Sequence, residues 1–361
     1  MTSRSPERAA LTRARRVVVK IGSRTLATDA DVFGRLASSV KAARDEGRSV
    51  VLVSSGAIAL GVKRLGYRSR PKELGRLQAA AAAGQTALMR AYEKAFEPHG
   101  LTVAQVLLTH ADLSDRHRAN NARAALSALL DAGAVPVLNE NDSVSVEEIK
   151  FGDNDQLAAM VTPLVDADVL LLLSDVTGLL DGEGRRVGVV RDVATDALPH
   201  LRATKSSDGT GGMASKVEAA RRATLAGAAA IVADARDPEV VGSVLAGKDV
   251  GTLFVPGSER LTARRYWIAF TLRPHGDVVV DPGAREAVLS KKKSVLAVGV
   301  LGVRGSFRSG DAVRVLDGEG KELARGLARM GSDSIASSAG KKADDTTDGV
   351  VVHKDDLVVV V

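Results

Sequence analysis

The sequence predicts an α/β protein with a mainly parallel sheet covered by helices on both faces, followed by a small C-terminal all-β domain. Three observations carry this. Solidly apolar, β-branched runs recur through the first 250 residues, the pattern of strands covered on both sides. Ala- and Leu-rich stretches of helical length separate them, and strand–helix alternation argues a doubly covered sheet. After about residue 271 the texture changes to short strands and Gly-rich turns such as Asp317-Gly318 and Glu319-Gly320.

In chain order the predicted strands are Val17–Ile21, Val50–Ser54, Val103–Leu108, Val135–Asn139, Val169–Ser174 and Ala229–Ala233. Helices are expected between them at about 31–46, 73–97, 117–132, 155–165 and 213–227. The domains divide as a basic arm over 1–16, an α/β domain over 17–271 and a β domain over 276–361. Arg273-Pro-His-Gly276 is read as the linker, and the polar run 337–348 as a loop.

Composition bounds the function. Of 361 residues, 45% are apolar and 26% charged, which fits a chain with a real core and excludes wholesale disorder. Aromatics are only 3%, so Val, Leu and Ala must fill that core. No run approaches the roughly 18 uncharged apolar residues of a membrane helix, and no membrane association is expected. Cys is absent, which excludes disulfides, thiolate metal sites and Cys nucleophiles. The basic start leads straight into VVVKIGS with no apolar signal core, so a cytoplasmic location is expected. Of the net charge of +6, +5 falls in the first 20 residues. That predicts a short solvated arm, and it argues against a nucleic-acid-binding face.

Ligands of such sheets sit beyond the carboxyl ends of the strands. The first end, Lys20-Ile-Gly22-Ser23, can bring an ammonium and backbone N–H groups to one anion, against the bland reading of a solvated lysine. The second, Ser54-Ser55-Gly56, lacks the Gly-x-Ser-x-Gly setting of a nucleophile; binding competes there with a plain helix start. Asn139-Glu140-Asn141-Asp142 is followed by Gly152-Asp153-Asn154-Asp155, and capping a helix needs one such residue rather than this many. The mixture of amides and carboxylates suits a ligand carrying both charges, such as an amino acid. A Ca²⁺ loop is the rival, but its alternating ligand spacing is missing.

Ser174-Asp175 could serve a ribose, a phosphate through water, or Mg²⁺. Asp208-Gly-Thr-Gly-Gly212-Met-Ala-Ser-Lys216 opens a helix, where N–H groups, the helix dipole and a lysine meet phosphate; the rival is a flexible surface loop. It is not a Walker loop, and the polar Ala203-Thr-Lys-Ser-Ser before it rules out a dinucleotide fingerprint. The six His include no i, i+4 pair, so no zinc site is suggested. Lys291–Lys293 reads as a solvated turn.

Taken together and in order, VVVKIGS, VLVSSGAIALG, VLNENDSV, FGDNDQLAA, LLLSDVTGL and GTGGMASK resemble the amino-acid kinase family. The resemblance is to its glutamate-phosphorylating branch, which carries a C-terminal PUA domain. It spans residues 17–255, and the β-rich tail sits where a PUA domain is expected. It implies the amino-acid kinase fold and ATP-dependent phosphorylation of the γ-carboxylate of L-glutamate to L-glutamyl 5-phosphate, the first step of proline biosynthesis. It also implies Mg²⁺, feedback inhibition by proline and a homo-oligomer, dimer or tetramer. Ser55, Asp142 and Asn154 match its glutamate-binding positions. Lys20 and Lys216 match lysines flanking the phosphates, and Asp155 the acid that holds them; these three are the expected catalytic set. The ATP-binding stretches match Lys20, Ser174, Asp175, Thr210, Gly211, Gly212, Met213, Ala214, Ser215 and Lys216. No metal ligand is assigned.

One departure concerns the nucleotide-side loop. The family often carries an aromatic and an Asp-Pro after the Gly-Leu, whereas this chain has Gly178-Leu-Leu-Asp-Gly-Glu-Gly184, so a loop of different shape is expected. A γ-carboxylate, with a reference pKa near 4.3, is already ionised at neutral pH. The expected reaction is therefore in-line transfer without a general base. Two rivals stand beside this reading. One is a kinase for another acidic amino acid or a phosphorylated metabolite. The other is an RNA-binding accessory protein, against which the near-neutral tail argues.

Overall fold

All six predicted apolar runs form strands in a computed structural model, which describes residues 5–29, 31–144, 154–201, 212–257, 260–341 and 349–360. The strands of the first unit, Met1–Arg260, are β1 (Arg16–Ile21), β2 (Ser49–Ser54), β3 (Val103–Leu108), β4 (Val135–Glu140), β5 (Val169–Ser174), β6 (Val189–Val190), β7 (Ala229–Asp234) and β8 (Thr252–Phe254). They make an eight-stranded sheet of order β3-β4-β2-β1-β5-β7-β8-β6. Pairing is parallel from β3 through to β7, and antiparallel only between β7 and β8.

Alternation along β1 shows why the runs are apolar on both faces. Val17, Val19 and Ile21 enter one core with the helices Val32–Asp45 and Leu74–Phe96. Val18 enters the other, with Asn154–Leu164 and Met213–Leu225. Aliphatic and Ala side chains fill both cores; on the first face Tyr92 meets Phe33 and Phe96 edge-on, with ring centroids 5.0 and 5.9 Å apart.

The helix Ala57–Arg64 follows the Ser54-Ser55-Gly56 turn and lies backbone to backbone against Leu74–Phe96. A Cβ on Gly61 would fall 1.7 Å from the Ala80 carbonyl oxygen, and one on Gly84 would fall 1.7 Å from that of Ala57. Only glycine permits this approach.

The described part of the basic arm is not a free solvated tail: Arg13 and Arg15 are exposed, but Arg8, Leu11 and Ala14 are buried. Pro6–Ala10 is a short helix capped by Ser5, whose Oγ accepts from the Arg8 amide. Arg8 is 2% exposed. Its Nη1 donates to the carbonyls of Lys248 (3.0 Å) and Val250 (2.8 Å), and its Nη2 to those of Gly188 and Gly251 (both 2.9 Å). Asp249 balances the charge at 3.0 Å. A planar guanidinium with five donors suits such a ring of carbonyls. Net charge along the arm could not show that one of its arginines is a buried anchor.

The second unit, Leu261–Val361, holds β9 (Gly276–Val280), β10 (Val295–Leu296), β11 (Val300–Gly305), β12 (Ala312–Leu316), β13 (Glu322–Ala328) and β14 (Val350–Val359). Their order is β10-β14-β13-β12-β9-β11. Two short helices, Pro282–Leu289 and Ser332–Ser338, interrupt the strands. The first had a legible signal, since Asp281 caps it by accepting from the Ala284 amide and Pro282 opens it. The unit begins earlier than the expected boundary at 271–276. Arg264 pairs with Asp356 at 2.8 Å, and Arg325 donates to the Ala269 carbonyl at 2.9 Å, which ties 261–271 to this sheet. Residues 342–348 of the expected polar loop lie outside the described residues.

Arg8→Ala would strip the donors from four carbonyls. It is expected to lower the unfolding free energy by about 2–5 kcal/mol. Arg8→Lys, with three donors on a point charge, should recover only part of that. Urea unfolding of the three proteins measures both differences.

Candidate functional site

Strand register sets the site out in a row. Ile21 pairs with Ser54 on one side and Leu173 on the other. Ser174 pairs with Asp234, and Asn139 with Leu107. The Gly22 amide donates to the Leu173 carbonyl and the Ser55 amide to that of Ile21, both at 3.3 Å. The polar ends of β4, β2, β1, β5 and β7 therefore fall side by side at one edge of the sheet. Amides and hydroxyls lie on the β4–β2 side, Lys20 in the middle, and Ser174-Asp175 on the far side.

A buried charge cluster occupies the middle. Lys20 points to the face that Asn154–Leu164 and Met213–Leu225 cover, so both helices deliver a charged residue to it. Asp155 Oδ1 lies 2.5 Å from Lys20 Nζ, and Asp155 Oδ2 lies 3.1 Å from Lys216 Nζ. Asp155 is 0% exposed, and the lysines are nearly as deeply buried. Burial alone would raise the Asp155 pKa, but the two ammonium groups outweigh it and hold the carboxyl below its ordinary range. Two ammonium groups on one carboxylate leave a net positive charge out of water. A polyanion is the ligand that balances it.

On the β4–β2 side, Asn154 Nδ2 is in hydrogen-bonding reach of the Ser54 carbonyl (3.1 Å), Ser55 Oγ (2.9 Å) and Asn139 Oδ1 (3.0 Å). Asn139 donates in turn to Gln85 Oε1 at 2.9 Å. Tyr92 donates its hydroxyl to Ser54 Oγ at 2.9 Å, and burial pushes the phenol pKa up to about 12, which keeps it a neutral donor. Asp142 lies half-buried in the turn that follows β4. The structure thus brings Ser55 and Asn154 into direct contact, adds Asn139 from the polar run Asn139–Asp142, and adds Gln85 and Tyr92, which no motif had singled out.

On the other side, Ser174 Oγ donates to Asp175 Oδ1 at 3.1 Å. Arg24 holds Asp175 Oδ2 at 2.5 Å and keeps that carboxyl below its ordinary range. Arg236, itself paired with Asp234 at 2.6 Å, donates to the Asp175 carbonyl at 3.3 Å. Both arginines are additions to the expected set; Arg24 stands one residue beyond a matched string. The helix Met213–Leu225 opens at Gly212 with no side-chain cap among the described residues, and a helix start of this kind suits an anion. Met213, Ala214 and Ser215 form its first turn, and Ser215 Oγ lies 3.5 Å from Asp155 Oδ2. Thr210 and Gly211 lie outside the described residues, as do Gly152 and Asp153. The run after Gly178 closes as a tight turn, with Asp181 Oδ1 accepting from the amides of Glu183 and Arg185 at 2.9 Å.

A cavity of about 780 Å³ lies elsewhere, beside Thr12 and Arg48, which precede β1 and β2. Arg35 and Arg48 in its wall are already paired, with Asp29 and Glu46, and it shares no residue with the strand-end site. Among the described residues no three His, Cys, Asp or Glu side chains form a metal-holding group. No described helix is long and apolar enough to cross a membrane.

Comparison with known proteins agrees with this architecture. The amino acid kinase family matches residues 15–234, and the PUA domain matches residues 276–350. A glutamate 5-kinase from Pelobacter propionicus is 46% identical over 363 residues, covering 96% of this chain and 97% of its own. Another from Myxococcus xanthus is 47% identical, covering 99% of this chain and 100% of its own. Among solved structures, N-acetylglutamate synthase from Neisseria gonorrhoeae, complexed with coenzyme A and N-acetyl-glutamate, matches with a TM-score of 0.53 at 18% identity. That match covers 70% of this chain and 62% of the other, and it is a likeness of fold.

A carboxyl held below its unfolded pKa of about 3.9 stabilises the fold above that pH, and the contribution is lost as pH falls through the folded value. Asp155→Asn would leave two buried ammonium groups without their partner. It is expected to cost about 3–5 kcal/mol near neutral pH. The gap to the native protein should begin to narrow as pH falls below about 4, where the unfolded Asp155 carboxyl takes up its proton, and close only below the lowered folded value. Unfolding titrations between about pH 3 and pH 8 test this, and a gap independent of pH would remove the electrostatic account.

Proposed function

The chain belongs to the amino acid kinase family, and on that premise we propose that it transfers the γ-phosphoryl group of ATP to the γ-carboxylate of L-glutamate. The product is L-glutamyl 5-phosphate, and the reaction is the first step of proline biosynthesis. The observation that carries this reading is the buried Lys20–Asp155–Lys216 cluster, between an amide-rich edge and a phosphate-suited helix start.

The acceptor oxygen needs no deprotonation, because a carboxylate with a reference pKa near 4.3 is already ionised. The task left to the protein is to hold two anions in line and balance the charge on the transferring group. Lys20 and Lys216 do this through their ammonium groups, and Asp155 fixes both by taking one on each oxygen. Ser55, Asp142 and Asn154 bind the glutamate, whose ammonium and carboxylate groups suit a mixed set of amides and acids. Ser174, Asp175 and the 210–216 segment bind the ATP. Mg²⁺, when bound, supplies further charge neutralisation on the phosphates. This ion keeps much of its water and binds largely through substrate phosphates. Feedback inhibition by proline and assembly into dimers or tetramers belong to the same reading through the family resemblance.

Purified protein with ATP, Mg²⁺, glutamate and hydroxylamine tests the reading, because hydroxylamine traps an acyl phosphate as a coloured hydroxamate. Colour that requires both ATP and glutamate is expected, with little from aspartate or N-acetylglutamate; ADP release without hydroxamate would overturn it. Lys216→Ala should lower kcat by a factor of about 10²–10³, as for loss of one preorganised donor. Asp142→Ala should act mainly on the KM for glutamate, and an unchanged KM would remove Asp142 from the substrate set.

A further inference from the structure

The amides beside Ser55 form a chain with only one direction. Its direction is set by a backbone group that cannot turn round: the Glu140 N–H donates to Asn139 Oδ1 at 2.9 Å. Asn139 must then present Nδ2 on its other side, where it donates to Gln85 Oε1 at 2.9 Å. Asn154 approaches the same Asn139 oxygen at 3.0 Å and so must also present its Nδ2. Ser55 Oγ and the Ser54 carbonyl, both beside that nitrogen, agree with this assignment. The consequence falls on the last atom. Asn154 Oδ1 is buried and has no hydrogen-bond partner among the described residues, in a residue 8% exposed. A buried unsatisfied acceptor is costly, and a ligand donor that reaches it recovers that cost.

We propose that Gln85 is a positioning residue for substrate selection: as the terminal acceptor of this amide chain, it holds Asn139 and Asn154 so that Asn154 offers its carbonyl oxygen to the ammonium group of the amino-acid substrate. This rests on the reading of Asn154 as a substrate-binding residue. Gln85 acts through its Oε1 and through Asn139, and touches no reacting atom. A site built around an unpaired acceptor rejects analogues that lack the matching donor.

The test compares L-glutamate with glutarate, which lacks only the amino group, in the hydroxamate assay with full-length protein. Gln85→Leu removes the acceptor and is expected to raise the glutamate KM roughly 5- to 30-fold, the loss of one buried hydrogen-bond link. Its preference for glutamate over glutarate should shrink by a similar factor, with the ATP KM unchanged. Gln85→Glu keeps an acceptor facing Asn139 and should return the glutamate KM to within about threefold of native, the conservative rescue that a positioning role requires. A folded Gln85→Leu protein with native glutamate KM and native selectivity would overturn the proposal. So would equal damage from Gln85→Leu and Gln85→Glu, which would put the role on Nε2, or a parallel loss of kcat, both KM values and melting temperature, which marks a structural role. Native protein that makes no hydroxamate from glutamate would instead overturn the functional reading, and this inference with it.

Discussion

Asp155 is the constraint on which the site depends. A carboxylate with no exposure is tolerable only because each oxygen meets an ammonium group, and each lysine is tolerable only because of the carboxylate. The three residues come from β1 and from the first turns of two different helices, so the cluster requires strand and helices to dock at one depth. The apolar runs of β1 and β5 and the Ala-rich face of Met213–Leu225 supply that docking without charge. The small side chains at Ala158, Ala159, Ala219 and Ala220 let both helices approach the sheet. Packing of the plainest residues thus sets the distances of the most polar ones.

The parallel sheet does a second thing. Because β4, β2, β1, β5 and β7 run the same way, their carboxyl ends share one edge, and segments about 150 residues apart in sequence, such as β1 and β5, become neighbours. The order of strands, rather than any local motif, puts the amide-rich end and the Ser174-Asp175 end on opposite sides of Lys20. An acceptor and a donor substrate bound at the two ends would meet over the middle strand, where the positive charge is.

Much of this was legible beforehand because period and punctuation are local properties. The six main strands and five long helices were predicted to within about two residues, since apolar runs and helical spacing mark them directly. Lys20, Asp155 and Lys216 stood out as polar residues at strand ends and helix starts. Gln85 did not, because it sits in the middle of an Ala-rich helix whose pattern reads only as core packing. Arg24 and Arg236 were likewise hidden, since what commits them to Asp175 and Asp234 is lateral neighbourhood across the sheet. Arg8 is equally hidden: one buried guanidinium among the five arginines of the arm leaves no trace in a charge count. The short helices Pro282–Leu289 and Ser332–Ser338 were lost among turn signals, although the capping Asp281 was there to be read.

The contact of Gly61 with Ala80 and of Gly84 with Ala57 has a consequence for how such a site can change. At Gly61 and Gly84 the helix that follows Ser55 meets the helix that carries Gln85 through main-chain atoms. Side chains in a contact can be exchanged for others of similar volume; a peptide backbone has no alternative rotamer and no smaller version of itself. The floor under the amide-rich side is therefore a fixed datum, and diversification toward other acceptors has to come from the loops above it. In that respect the two glycines set a limit on the range of substrates that this scaffold can acquire by gradual substitution.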